Sequence, residues 1–184
     1  MLEWLDRGTY TYHTVNPPLA RIAVALGPYW RGARSHGLET AIEEGNAILH
    51  TNNQYRENLR ASRLGTLPFV ALGCILTGLW ALRWYGKAAA VASMGLFSIL
   101  PPILGHGSLA TTDVAAASTF TGAVYALTLW LEEPKSSRTV WLGAAAGVAM
   151  LAKFTALPML GACAAAGAGW RRLRSGGAPA DGVR

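Results

Sequence analysis

Asp113 is the one acid between Glu57 and Glu132. It ends the stretch Gly105-His106-Gly107-Ser108-Leu109-Ala110-Thr111-Thr112-Asp113, between two long apolar runs. A carboxylate at the mouth of a membrane helix is costly unless it lines a cavity or pairs with a cation. Lys153 is equally isolated, with no other charge between Arg138 and Arg171. An ammonium there suits a phosphate, or Asp113 itself. His106, between two glycines, has the chemistry of a proton carrier or a metal ligand. Arg60 and Arg63 precede an apolar run, where guanidinium groups suit an anionic lipid phosphate. Each has a plainer reading beside it. Asp113 suits an N-terminal cap position, with Thr111 and Thr112 as hydrogen-bond partners. Lys153 suits a side chain snorkelling to the interface. His106 suits an ordinary turn, and arginines are common at helix ends.

These residues must be placed by the elements around them. The chain is 52% hydrophobic and 14% charged over 184 residues, against about 25% charged in an average soluble domain. The uncharged runs are Leu64–Leu82, Ala88–Thr112, Val114–Leu131, Thr139–Ala152 and Phe154–Trp170. About 20 apolar residues span the hydrocarbon, which the first three runs satisfy. The last two, divided only by Lys153, read either as one helix kinked at Pro158 or as a hairpin turning at Lys153-Phe154-Thr155.

Cytoplasmic loops are enriched in Lys and Arg. The hairpin puts Arg83, Lys87, Lys135, Arg138, Arg171, Arg172, Arg174 and Arg184 on one side, with Lys153 alone in the opposite turns. Trp80, Trp84, Trp130, Trp141 and Trp170 flank the same loops, as an interfacial belt does. The expectation is therefore an all-α polytopic bundle of about five membrane helices, 64–82, 88–105, 113–131, 139–152 and 154–170. Residues 1–63 lie outside and 171–184 form a basic, flexible cytoplasmic tail. His106, Asp113 and Lys153 then share the outer side. Residues 1–63 carry seven Arg and six acids with no earlier span to translocate them, so an upstream helix is expected to be missing.

Asn16-Pro17-Pro18 marks a turn. Leu19–Trp30, with Arg21 near its start, and Leu38–Leu49, with Glu39, Glu43 and Glu44 on one side, read as interfacial helices. Gln54–Arg63 is polar and leads into the first span. The net charge of +6 reads as membrane-flanking cations. Nucleic-acid binding would need basic residues and aromatics together on one soluble face, and none is visible. Cys74 and Cys163 lie in apolar runs and read as packing residues. Gly143 and Gly147 make a GxxxG pattern that permits close helix packing. No dinucleotide fingerprint, Walker loop, paired CxxC, HExxH or nucleophile elbow appears.

Three stretches resemble the superfamily of dolichyl-phosphate-mannose–protein mannosyltransferases and aminoarabinose transferases, whose fold is the polytopic GT-C type. Gly8-Thr9-Tyr10-Thr11 with Asn16-Pro17-Pro18-Leu19-Ala20-Arg21 is similar to the family's first outer loop. Pro101 to Asp113, ending in Thr112-Asp113, is similar to its second. Leu151-Ala152-Lys153-Phe154-Thr155-Ala156-Leu157 is similar to a third motif. The resemblance implies transfer of a sugar from a polyprenyl-phosphate donor to a protein, lipid or glycan acceptor on the outer membrane face. It implies a carboxylate base, with basic residues holding the donor phosphate and a divalent metal left open as cofactor. Lys153, Arg63, Arg60, His106 and Arg21 are the candidates for donor and substrate binding, and Asp113 is the candidate acid.

Two departures from the pattern stand out. Asn16 replaces the usual His, and the family's Asp-Glu pair would lie ahead of Met1, where Glu3 and Asp6 do not fit. The reading is a partial glycosyltransferase of the inner membrane, expected to be bacterial, inactive as this chain alone. The rivals are a non-catalytic membrane binding or assembly module derived from that family, and a small transporter. A transporter would need polar groups near the membrane midplane, whereas here they gather at one face.

Overall fold

The computed structural model describes residues 1–12, 14 and 16–176. Among them the chain forms ten α-helices and no strand. They are α1 Leu2–Arg7, α2 Pro18–Trp30, α3 Ala41–Leu49, α4 Tyr55–Leu64, α5 Leu67–Tyr85, α6 Lys87–Ile99, α7 Pro101–Gly107, α8 Asp113–Glu132, α9 Ser136–Ala152 and α10 Ala156–Gly176. The all-helical membrane architecture expected from the sequence is what the chain adopts.

Helix ends follow local chemistry. Pro17 is extended and Pro18 opens α2, where its missing N–H leaves no bond unmade. Thr40 caps α3 by accepting from the Glu43 N–H at 3.2 Å. Pro68 falls in the first turn of α5, so that helix begins at Leu67 and runs through Arg83. Pro158 falls in the first turn of α10 and introduces no kink. The break comes instead at Lys153, which is extended at φ −159°, ψ 126°. Beyond it α10 returns alongside α8 and α9.

Among the described residues two columns are long and apolar enough to cross a membrane: the continuous pair α4–α5, Tyr55–Tyr85, and α8. A third qualifies only if α6 and α7 count together, and they meet at a bend of 56°. The run read as one span over 88–105 is thus broken. Leu100 precedes Pro101 and sits at φ −59°, ψ 125°. Proline disfavours the helical conformation in the residue before it. Two further features differ from the sequence reading. The helix α10 extends to Gly176, so Arg171-Arg172-Leu173-Arg174 is helical rather than part of a flexible tail. The rest of that tail, 177–184, lies outside the described residues. Glu44, expected on the polar side of its helix, is buried.

The bundle packs α5 against α6 and α8, and α8 against α9 and α10. Helix α2 crosses α4 closely. A Cβ at Gly27 would lie 2.3 Å from the Ala61 carbonyl oxygen, and one at Gly65 would lie 2.2 Å from that of Ala23. Only glycine allows the two backbones this near. Cys74 and Cys163 are free thiols.

Candidate functional site

Helix α2 also reaches the bundle. Ala20, Ala115 and Ala152 are buried together, with Leu19 and Phe69 against them. Three small side chains let α2, the start of α8 and the end of α9 converge on one point. Asp113 lies two residues before Ala115, and Lys153 follows Ala152, so their side chains meet. Lys153 Nζ donates to Asp113 Oδ1 at 3.2 Å, and His106 Nδ1 lies 3.4 Å from Asp113 Oδ2. One carboxylate therefore bridges two basic groups from different segments, all about half exposed. Thr66 Oγ1 donates to the Gly107 carbonyl at 2.7 Å and holds the end of α7, where His106 is helical rather than in the turn expected from the sequence.

The helper roles expected of the two threonines are absent. Thr112 precedes α8 but its side chain makes no capping bond. The Thr111 hydroxyl is buried without a hydrogen-bond partner. Asp113 takes its partners from outside its own helix.

Arg21 is set beside this cluster by the first motif. Its Nη2 donates to the Tyr12 carbonyl at 3.1 Å, its Nη1 donates to the Tyr10 hydroxyl, and its guanidinium lies 5.0 Å from the Tyr10 ring centre. Tyr10 donates in turn to the Asn16 carbonyl at 2.6 Å. The tyrosine-bearing loop is held by Glu3, which the sequence reading set aside. Glu3 is buried and accepts from Thr9 Oγ1 at 2.8 Å, Thr11 Oγ1 at 2.7 Å, the Thr11 N–H at 2.9 Å and the Tyr12 N–H at 3.3 Å. Burial alone would push its carboxyl up. The bonds from Thr11, Thr9 and Tyr12 outweigh it and bring the group down to about 2. Glu44 is the parallel case. It accepts from Ser35 Oγ at 2.6 Å, the His36 N–H at 2.9 Å and the Leu38 N–H at 3.1 Å. Burial again raises its carboxyl, and these bonds outweigh it to leave a lowered value.

Three cavities surround the cluster. One of about 320 Å³ is lined by Arg21, Val24, Ile48, Thr111 and Thr112 among others. A second, about 260 Å³, has Tyr10, Asn16, Pro17 and Pro18 facing Phe154. The third, about 200 Å³, lies between α8 and α10 with Lys153 at its end. The three sequence motifs, far apart in the chain, thus share walls and side-chain contacts here.

Arg60 and Arg63 stand outside this cluster, on the exposed side of α4. Arg60 pairs with Glu57 at 3.1 Å. Among the described residues no group of three His, Cys, Asp or Glu side chains is placed to hold a metal ion. The positive charge near Asp113 comes from Lys153, from Arg21 across the first cavity and, when protonated, from His106. At the opposite end of the bundle Arg83 pairs with Glu132, and Lys135 and Arg138 pair with Glu133.

Residues 56–175 match the family model described as dolichyl-phosphate-mannose-protein mannosyltransferase. The match includes His106, Asp113 and Lys153. No curated protein and no solved structure matches the chain.

Proposed function

Because the chain belongs to the dolichyl-phosphate-mannose-protein mannosyltransferase family, a family of membrane glycosyltransferases, we propose that the Asp113–Lys153 end of its bundle receives the phosphate of a lipid-linked sugar donor. The observation that carries this is the convergence of α2, α8 and α9 through Ala20, Ala115 and Ala152, with the ion pair beside them. In this reading that end faces outward, and α9 and α10 complete five membrane passes. The cationic loops around Arg83, Lys135 and Arg138 lie on the cytoplasmic side of a bacterial inner membrane.

Transfer in this reading is a direct displacement. A hydroxyl of the acceptor, whether protein, lipid or glycan, attacks the anomeric carbon. The new carbon–oxygen bond forms as the bond to the donor phosphate breaks, and the hydroxyl proton passes to a carboxylate. The leaving phosphate gains negative charge, and cations stabilise such a transition state by meeting that charge as it develops. Lys153 stands where it can do so. Asp113 holds the ammonium in place until phosphate arrives and is the nearest carboxylate to take the proton. Arg21, locked by Tyr10 and Tyr12, adds a second fixed cation across the Thr111–Thr112 cavity.

The test is donor binding by the full chain in lipid nanodiscs, with a short polyprenyl-phosphate mannose as the probe. Lys153→Ala should weaken binding at least about tenfold, the loss of one charge-assisted contact of roughly 1.4 kcal/mol. Equal binding by Lys153→Ala and the unsubstituted chain would overturn the assignment.

A further inference from the structure

At the end of the bundle opposite Asp113 the cations are mostly matched. Arg83 pairs with Glu132, and Lys135 and Arg138 pair with Glu133. Lys87 is the exception: it is exposed, and among the described residues no carboxylate lies within ion-pair distance of it. It stands at the turn from α5 into α6, where Gly86, at φ 86°, joins the two helices through a single residue. Just before that glycine, Trp84 and Tyr85 are exposed. They line a cavity of about 410 Å³ with Thr77, Trp80 and Ala81 of α5 and Thr121 of α8. Trp80 is braced by Tyr125 of α8, with the ring centres 5.8 Å apart. Trp141 is also exposed, but the cations ahead of it are held by Glu133. At the α5–α6 turn an unmatched cation adjoins an open aromatic cavity.

We propose that the α5–α6 turn binds an anionic phospholipid, with the lipid phosphate at Lys87 and its glycerol region and upper chains against Trp80, Trp84 and Tyr85. Indole and phenol rings settle at headgroup depth, their apolar bodies toward the chains and their polar tips toward ester oxygens. A lysine beside them attracts anionic lipid across the short distance that salt leaves unscreened. Each half of the site argues against another occupant. A soluble anion would leave the aromatic wall uncovered. A zwitterionic lipid carries its own cation, which competes with Lys87 for the phosphate. Helix α5 belongs to a column long and apolar enough to cross a membrane, so a cavity on its flank is open to lipid. In the orientation proposed above this is the cytoplasmic leaflet, away from Lys153, and the two assignments stand or fall separately.

The experiment places the full chain in phosphatidylcholine vesicles that contain, as minor lipid, either diazirine-tagged phosphatidylglycerol or diazirine-tagged phosphatidylcholine. Labelling of the Thr77–Lys87 segment is the readout. The tagged phosphatidylglycerol should label it about fivefold more than the tagged phosphatidylcholine, the preference one surface lysine supplies. Lys87→Ala should bring the two lipids to near parity, and Lys87→Arg should keep the preference. Lys135→Ala should change it less than about twofold, because that lysine already has an acid. Trp84→Ala should weaken labelling by both lipids, a second variant that leaves the cation in place. Parity in the unsubstituted chain overturns the site. Equal losses in Lys87→Ala and Lys135→Ala also overturn it, since a diffuse positive field would then account for the preference. A segment that neither lipid labels overturns it too, and points to a protein helix covering this face.

Discussion

Replacing Glu3 with glutamine should release the loop that holds Arg21. Its carboxylate is buried and collects two hydroxyl groups and two backbone N–H groups from Thr9, Thr11 and Tyr12. Those bonds lower it from 4.5 to about 2, a difference that corresponds to about 3 kcal/mol at roughly 1.4 kcal/mol per unit. Because the folded value is depressed, the contribution is complete above about pH 4.5. It shrinks as pH falls below that, where the released carboxyl protonates first, and is gone near pH 2. Glutamine keeps one carbonyl acceptor, so its cost at neutral pH is below that ceiling. The assay is hydrogen exchange at the Thr11 and Tyr12 amides, comparing Glu3→Gln with the unsubstituted chain at one pH. At pH 7 exchange in the variant should be about 10- to 100-fold faster. As pH falls to about 2 the two should converge. Equal protection at pH 7 would refute the reasoning, since the carboxylate would then not be what orders the loop.

Other expectations follow from the same geometry. Lys153→Ala should lower bundle stability by no more than about 1 kcal/mol, because the pair is half exposed; denaturant titration in mild detergent measures it against the larger loss in donor binding. Gly27→Ala should destabilise the α2–α4 crossing by about 1–3 kcal/mol, because the added methyl meets the Ala61 backbone; thermal unfolding followed by circular dichroism reads it. Replacing Pro101 and Pro102 together with alanine should straighten the 56° bend between α6 and α7. Spin labels at Ala89 and Ile103 should then move apart, and an unchanged distance would place the cause of the bend elsewhere.

Much of the fold is legible in the sequence because uncharged runs of membrane length are a strong signal. Helix α8, Asp113–Glu132, closely matches the run read as 113–131. The other ends shifted where a charge count is blind to backbone chemistry. Pro68 moves the start of α5 inward, and Pro101 divides a run with no charge in it. Arg83 extends α5 because an arginine can project to the interface without ending a helix. The approach of Asp113 to Lys153 was legible as two rare charges assigned to one side, and the resemblance of the motifs pointed to the same place. What joins them was not. Ala20, Ala115 and Ala152 look like ordinary apolar residues, and only the packing shows that they bring three helix ends together. Glu3 was missed because four donors from a folded-back loop surround it, and nothing in its spacing announces that. The one available signal was an acid lying just ahead of Gly8-Thr9-Tyr10-Thr11, a run rich in donors.

The account depends on the donor phosphate lying between α8 and the turn at Lys153. Photolabelling tests this most directly, using a diazirine-bearing polyprenyl-phosphate mannose with the full chain in native-like membranes, and mapping the labelled peptides. The predicted result is labelling confined to Ala110–Phe120 and Lys153–Met159, suppressed by excess unlabelled donor and by Lys153→Ala. Labelling concentrated instead at the Trp80–Lys87 and Glu132–Arg138 end of the bundle would contradict it.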